Sequence, residues 1–425
     1  MHVELQDRID SPPAASTLPS CRFCARPLRD TFVDLGMSPL CESYVPPERL
    51  GAMEPFYPLH ARVCGQCLLV QLEEFVAPAE IFTEYAYFSS YSDSWVAHAR
   101  DYVEAAVERF RLGADSLVIE LASNDGYLLQ HAVERGIPAL GIEPAANVAE
   151  AARERGVDTV VAFFGRELAD RLVADGHRAD LLVANNVLAH VPDLNDFVGG
   201  MERVLAQHGV ITIEFPHLER LIADNQFDTI YHEHFSYFSF LTAQTVLRAH
   251  GLEVFDVEEL VTHGGSLRVY AQRRFSGSHP VSTRVIALAR RERELGLDRL
   301  EGYRAFEQRV VETKWTLLEF LHQCRRDGKR VAGYGAPGKG NTLLNYCGIR
   351  ADLLEFTVDR NPYKQGQFLP GTHIPIRDPE ALDRARPDFI LILPWNLTEE
   401  IVDQLSYARE WGARFVVPIP KVTIL

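Results

Sequence analysis

The sequence predicts an α/β protein in three parts: an N-terminal zinc-binding module, a central Rossmann-like domain and a C-terminal Rossmann-like α/β domain. Three observations predict it. Two Cys-x2-Cys pairs, Cys21/Cys24 and Cys64/Cys67, fall in a Pro-rich opening stretch with little helical periodicity, the character of a small metal-stapled module. From Ser116, short apolar runs alternate with stretches rich in Ala, Glu, Arg and Leu, the pattern of βαβ units around a mostly parallel sheet. A second, shorter alternation begins at Arg330. The expected domains are residues 15–82, 83–258 and 259–425, although composition barely changes near the second boundary, at 255–262.

In chain order, Trp95, Val96, Tyr102, Val103, Val107 and Phe110 recur at three-to-four spacing and predict a helix over 93–112 that leads into a strand at Ser116–Glu120. Strands follow at Ala139–Ile142, Thr159–Val161, Leu181–Val183 and Val210–Ile213. Residues 283–327 read as long helix interrupted near Gly296. The last series has strands at Arg330–Ala332, Leu354–Val358, Phe389–Ile392 and Phe415–Val417.

At 425 residues and 47% apolar content, the chain can bury two or three cores. A formal charge of −16 opposes non-specific binding to nucleic acid or to an anionic membrane, so an anionic substrate requires a local basic pocket. No apolar run is long enough to span a bilayer and residues 1–20 hold no apolar signal core, so a cytoplasmic location is expected. Seven unevenly spread cysteines suit a reducing compartment and a metal site better than a disulfide framework. Nothing points to an obligate protein partner.

Cys21, Cys24, Cys64 and Cys67 can present four thiolates tetrahedrally, so one structural zinc is expected. Cys41, between the pairs, reads as a packing residue. In Glu120-Leu-Ala122-Ser-Asn124-Asp-Gly126 an acidic residue ends a strand, and small or turn-forming residues let the backbone approach a nucleoside before a helix begins at Tyr127. Glu143 closes the next strand, where a carboxylate can bind both ribose hydroxyls. Asn185 or Asn186, then His190, follow the fourth strand at the carboxyl edge where such sheets bind ligands; His190 reads equally as a cleft residue or as a helix cap.

Tyr231-His232-Glu233-His234, with Tyr237, gathers two histidines, a carboxylate and two tyrosines within seven residues, a group costly to bury without partners. An extended segment puts Tyr231, Glu233 and Phe235 on one face and the histidines on the other. Chelation by His-x-His is the competing reading, without a second ligand cluster nearby. Gly333-x-Gly335-x-x-Gly338 has the form of a dinucleotide fingerprint, with Asp359 ending the next strand; alone it suggests an NAD-dependent nucleotide-sugar oxidoreductase. Lys339 after the glycines favours a diphosphate loop, with Arg360, Lys364 and Arg268 as further cations unless these are ordinary solvated charges.

The 120–126 turn and Glu143 resemble the cofactor loops of S-adenosylmethionine-dependent methyltransferases, with Ala122 and Asn124 where two glycines are usual. Together with Cys21-Arg-Phe-Cys24, Phe88-Ser-Ser-Tyr91-Ser, Tyr231-His-Glu-His234, Thr262-His-Gly-Gly-Ser-Leu-Arg268 and Gly333-Tyr-Gly-Ala-Pro-Gly-Lys-Gly340-Asn-Thr, nearly the whole chain resembles the sugar C-methyltransferases of deoxysugar and antibiotic pathways. The pattern is most similar to members that methylate C3 of dTDP-linked 4-keto-6-deoxyhexoses. The resemblance implies a class I methyltransferase fold for the central domain and S-adenosylmethionine as cosubstrate, held by Glu120, Ala122, Asn124, Gly126, Glu143 and Asn185. It implies a dTDP-linked ketosugar bound by the C-terminal domain through Lys339, Arg268, Arg360 and Lys364. It also implies that Tyr85, His190, Tyr231, Glu233 and His234 surround the sugar.

His234 is then the expected base for the proton alpha to the ketone, with Tyr231 and His190 holding the C4 oxygen and Glu233 orienting His234 or binding a sugar substituent. A zinc-dependent scaffold without catalysis would leave the 231–234 cluster without a purpose.

Overall fold

The computed structural model describes residues 18–77, 89–91 and 93–425. The N-terminal module is an antiparallel meander of β1 (Asp30–Ser38), β2 (Tyr57–Val63) and β3 (Val70–Gln71). One cysteine pair precedes β1 and the other makes the turn between β2 and β3. The two knuckles share a backbone design: Ala25 and Leu68 donate their N–H groups to the carbonyls of Cys21 and Cys64, both at 2.9 Å, and both adopt left-handed φ of 59° and 61°. Non-glycine residues pay for that conformation, and the cysteine pairing supplies the reason to hold it.

The central sheet draws on β4 (Val118–Leu121), β5 (Ala139–Ile142), β6 (Thr159–Val160), β7 (Ala179–Asn185) and β8 (Leu205–Pro216), all parallel. After the short β9 (Ser236–Tyr237) come β10 (Leu252–Leu260) and β11 (Ser266–Arg273), an antiparallel hairpin. The strand order is β10-β11-β8-β7-β4-β5-β6, with β11 antiparallel to β8. The order reverses between β4 and β7, so a crevice opens at their carboxyl ends, where the 120–126 turn and Asn185 sit. The expected boundary at 258/259 therefore falls inside β10, and the first strand of the C-terminal segment completes the central sheet. The reason is pairing at long range: β11 takes eight partners on β10 and seven on β8. β9 does not join this sheet; it pairs with β3 and becomes the fourth strand of the zinc module.

The helical stretch after β11 is broken as expected near Gly296, which takes φ of 83°, into Thr283–Glu294, Glu301–Arg304 and Phe306–Arg326. The C-terminal sheet comprises β12 (Val331–Tyr334), β13 (Thr357–Val358), β14 (Ile376–Arg377), β15 (Phe389–Ile392), β16 (Arg414–Val417) and β17 (Thr423–Ile424). Its order is β14-β13-β12-β15-β16-β17, parallel except for β17. The glycine loop follows β12 at this sheet's own switch point and opens the helix Gly338–Cys347. One apolar core runs from Phe32 of the zinc module, stacked on Phe306 at 4.5 Å, into Leu343 and Leu344 of that helix. No described helix is long and apolar enough to cross a membrane.

Candidate active site

The sulfur atoms of Cys21, Cys24, Cys64 and Cys67 all lie within 4.8 Å of one another, with Cys21–Cys67 and Cys24–Cys64 at 3.5 Å. Gln71 Nε2 donates to Cys21 Sγ at 3.2 Å and the Gln66 N–H to Cys64 Sγ at 3.4 Å, the outer-sphere donors expected around thiolates. Four converging sulfurs fit a closed zinc site. Cys41 is not among them. It is buried against the glycine loop, where a Cβ added at Gly338 would lie 2.9 Å from its sulfur, and its thiol is 4.0 Å from Glu233 Oε1. Arg22, inside the first knuckle, donates to the carbonyls of Pro192 at 2.7 Å and Leu72, and lies over the Phe235 ring at 5.3 Å.

The cofactor turn is held by alternating left-handed residues: Ala122, Asn124 and Gly126 have φ of 55°, 49° and 75°. Only Gly126 needs to be glycine for space, because a Cβ there would sit 3.0 Å from Val157 Cγ2. Glu143 accepts the N–H groups of Asn124 and Ala145, both at 2.9 Å, and so clamps the turn as well as closing its strand. Burial, then the nearby Glu143 and Asp125, push the Glu120 carboxyl well above its usual range. Glu120 Oε2, Ser123 Oγ and Asn185 Oδ1 are buried without a protein partner. Orphaned acceptors facing a turn with open backbone suit a ligand rich in hydroxyl and ammonium donors, which is what S-adenosylmethionine offers. Its helix begins at Gln130, three residues later than expected, after a looser turn.

The Tyr231–His234 segment is a turn, not an extended strand: the His234 N–H donates to the Tyr231 carbonyl at 2.9 Å. This corrects the expected alternation, because an i to i+3 bond brings the first and last side chains together. The rings of Tyr231 and His234 are 4.1 Å apart, and that of His190 is 4.7 Å from His234. His232 diverges to the Pro58 carbonyl of the zinc module at 3.2 Å, so the two histidines do not chelate together. His234 Nδ1 lies 3.0 Å from the Thr229 carbonyl, which only accepts; Nδ1 therefore carries the proton and Nε2 keeps a lone pair. Thr229, rather than Glu233, orients the imidazole.

Burial, then the neighbouring His190, hold His234 well below the usual histidine pKa. Burial pushes His190 down to about 4, partly offset by a bond to the Glu233 backbone. Burial, then Glu42, push the Glu233 carboxyl up to about 7. Tyr85 lies outside the described residues.

Above this cluster stands the glycine loop. Lys339 Nζ donates to Asn396 Oδ1 at 2.6 Å and rests 4.6 Å from the centre of the Trp395 ring, whose Nε1 donates to Asp228 Oδ2 at 2.8 Å. Burial pushes Asp228 up to about 7 against the pull of Lys339. Lys364 donates to the Ala336 carbonyl at 3.0 Å, and Arg360 is exposed. Arg268 is elsewhere: it is 6% exposed and bonds Glu214 at 2.8 Å, its cross-strand partner on β8. An acidic partner directly opposite on a central strand explains why it is committed there rather than to the loop. Asp359, the acid of the apparent fingerprint, accepts the loop's Ala336 N–H at 2.7 Å.

Asp228 and His263 lie inside sequence strings that drew notice, Asp228 opening the run to Tyr237 and His263 beside Gly264-Gly265, but neither was given a role, and Trp395 was not singled out at all.

Three family models match in chain order: a zinc binding domain over residues 21–82, a methyltransferase domain over 95–257, and a C-methyltransferase C-terminal domain over 261–420. The C-methyltransferase NovU of Streptomyces niveus is 36% identical over 405 residues, covering 95% of this chain and 96% of that protein. Among solved structures, magnesium protoporphyrin IX methyltransferase from Synechocystis with bound S-adenosylmethionine matches 43% of this chain and 82% of its own, at 14% identity and a TM-score of 0.32. An S-adenosylmethionine-dependent methyltransferase from Clostridium acetobutylicum matches 42% and 92%, at 11% identity and a TM-score of 0.35. With a relative this similar along nearly its whole length and all three models in register, the chain belongs to the C-methyltransferase family that joins a zinc binding domain to a methyltransferase domain and is an S-adenosylmethionine-dependent enzyme.

Proposed function

We propose that this enzyme methylates the carbon alpha to the ketone of a dTDP-linked 4-keto-6-deoxy sugar, at C3, in deoxysugar and antibiotic biosynthesis. The observation that carries the proposal is His234. Its Nδ1 proton is given to Thr229, its Nε2 lone pair is free to act as a base, and Tyr231 and His190 stand against its ring. S-adenosylmethionine supplies an electrophilic methyl group when bound.

The chain's residues do the rest. His234 Nε2 takes the proton alpha to the ketone; the Tyr231 hydroxyl, with His190, holds the C4 oxygen as negative charge develops there; the carbanion-like carbon is left facing the crevice of the 120–126 turn. Glu120, Asn124 and Asn185 line that crevice, and Glu143 fixes the turn. Glu233, protonated over much of the range below pH 7, is suited to donate a hydrogen bond to a sugar substituent. Lys339, with the amides of the glycine loop, is placed for a diphosphate, while Lys364 and Arg360 lie further along the same segment. The C-methyltransferase NovU of Streptomyces niveus supports carbon, rather than oxygen or nitrogen, as the atom methylated. Incubation with methyl-labelled S-adenosylmethionine and a panel of dTDP-4-ketosugars, followed by NMR location of the new methyl, tests the proposal; label on oxygen or nitrogen, or at a carbon not adjacent to the ketone, would reject it.

A further inference from the structure

Between β10 and β11 the chain turns through Thr262–Gly264 and Gly265, and three consecutive residues take positive φ: His263 at 54°, Gly264 at 86° and Gly265 at 116°. The glycines have a steric reason. A Cβ on Gly264 would lie 2.7 Å from the Trp395 ring, and one on Gly265 would lie 2.7 Å from Arg220. The turn is pinned on both sides, by Gln226 Nε2 donating to the Gly264 carbonyl at 2.7 Å and the His217 N–H to the Gly265 carbonyl at 3.0 Å. Glycine would relieve position 263 as well, yet an imidazole stands there in a conformation that costs a side-chain-bearing residue of order a kcal/mol.

What the strain achieves is placement. The His263 ring packs edge-on against Trp95 at 5.2 Å, and Trp95 in turn stacks with Tyr127 beside the cofactor turn at 6.2 Å. On the other side its neighbour Gly264 abuts the Trp395 ring, on which Lys339 rests at 4.6 Å, and His263 itself is solvent-exposed. A residue that is exposed yet lies between the Trp95–Tyr127 pair beside the cofactor turn and the Trp395–Lys339 pair of the C-terminal domain is on the wall of the cleft.

We propose that His263 is a substrate-contacting residue, whose imidazole hydrogen-bonds the nucleotide sugar where the sugar joins its diphosphate, on the approach to Lys339. This rests on the nucleotide-sugar reading above. The neutral imidazole offers one donor and one acceptor, which suits a phosphate or hydroxyl oxygen.

His263→Gly and His263→Asn test it. Both tolerate the left-handed backbone, so the folded state should melt at or above the wild-type temperature, while turnover of the ketosugar falls at least tenfold in kcat/KM and binding of S-adenosylhomocysteine is unchanged. His263→Asn should keep part of the lost activity, because its amide can still reach an oxygen. Glycine and asparagine variants with wild-type kcat/KM, alongside wild-type protein that does methylate the ketosugar, would overturn this inference alone. Wild-type protein that neither binds dTDP by calorimetry nor methylates any nucleotide-linked ketosugar would overturn the nucleotide-sugar reading and this inference with it.

Discussion

His234→Asn separates chemistry from binding. The asparagine amide can occupy the position of Nδ1 and keep the donation to the Thr229 carbonyl that His234 makes at 3.0 Å, so the turn at 231–234 should survive. What is lost is Nε2 and the ring contacts with Tyr231 at 4.1 Å and His190 at 4.7 Å. Lost ring packing should cost about 1 kcal/mol of stability. Losing a positioned base should reduce turnover by about a hundredfold or more, about 2.7 kcal/mol in barrier. Affinity for S-adenosylmethionine should not move, because Glu120, Glu143 and Asn185 are untouched. The direct assay is exchange of the substrate's alpha proton in D2O with S-adenosylhomocysteine bound, followed by NMR, which reports proton removal without methyl transfer. Exchange at the wild-type rate in the variant would show that another group is the base.

A base held below the usual histidine pKa should put the acid limb of kcat/KM below pH 6.5, while a Glu233 that donates only when protonated should raise kcat/KM on descending through pH 7; an acid limb at or above neutrality would assign the base to another group. His190 has a folded pKa of about 4 against an unfolded value near 6.5, so the unfolded state binds more protons in that window and stability is lost as pH falls through it. The loss should reach about 3.4 kcal/mol at most, and urea titrations of His190→Asn should show a shallower decline than wild type. Lys339→Ala should weaken dTDP binding by about 1.5–3 kcal/mol, that of a charge-assisted hydrogen bond, while leaving S-adenosylmethionine binding alone; calorimetric titration that instead finds saturable NAD binding without a dTDP response would favour an oxidoreductase. Elemental analysis should find close to one zinc per chain, and Cys64→Ser should reduce soluble protein more than the turnover of the folded fraction; metal-free protein of unchanged melting temperature would defeat the structural role.

Both parallel sheets were legible because their strands are short continuous apolar runs between helical stretches. Ala139–Ile142 and Phe389–Ile392 match the observed strands residue for residue. The two Cys-x2-Cys pairs pointed to one metal site, although the long gap between them left the spacing indecisive, and the structure brings their four sulfurs within 4.8 Å of one another. The expected boundary at 258/259 lies between the two family matches, but it was not legible that the β10–β11 hairpin joins the central sheet, since it does so only through the pairing of β11 with β8, a contact made across more than fifty residues by Arg268 and Glu214 among others. The fate of Arg268 was hidden for the same reason: a cation after a glycine turn looks available until its cross-strand partner is known. At 231–234 the residue types were right and their local geometry was not, because a single turn hydrogen bond regrouped Tyr231 with His234 and sent His232 to the zinc module. Nothing in the two-residue run Ser236–Tyr237 distinguishes a strand from a loop, and its partner lies in another domain.

That partner sets an order of assembly. The zinc module's last strand position is filled by Ser236 and Tyr237, which leave the ribosome about 165 residues after Gln71; at ~5–20 residues per second the wait is roughly ten to thirty seconds. Until then the outer edge of β3 is an open template, and the apolar ring of Phe235, which later sits under Arg22, has not been made. When the segment arrives, the same few residues close the sheet edge, give Leu72 the Phe235 carbonyl at 3.0 Å, and set His234 one position away from that bond. A nascent chain thus completes its metal module and its base in one event, and a zinc module transplanted without residues 235–237 would carry an unpaired edge into its new host.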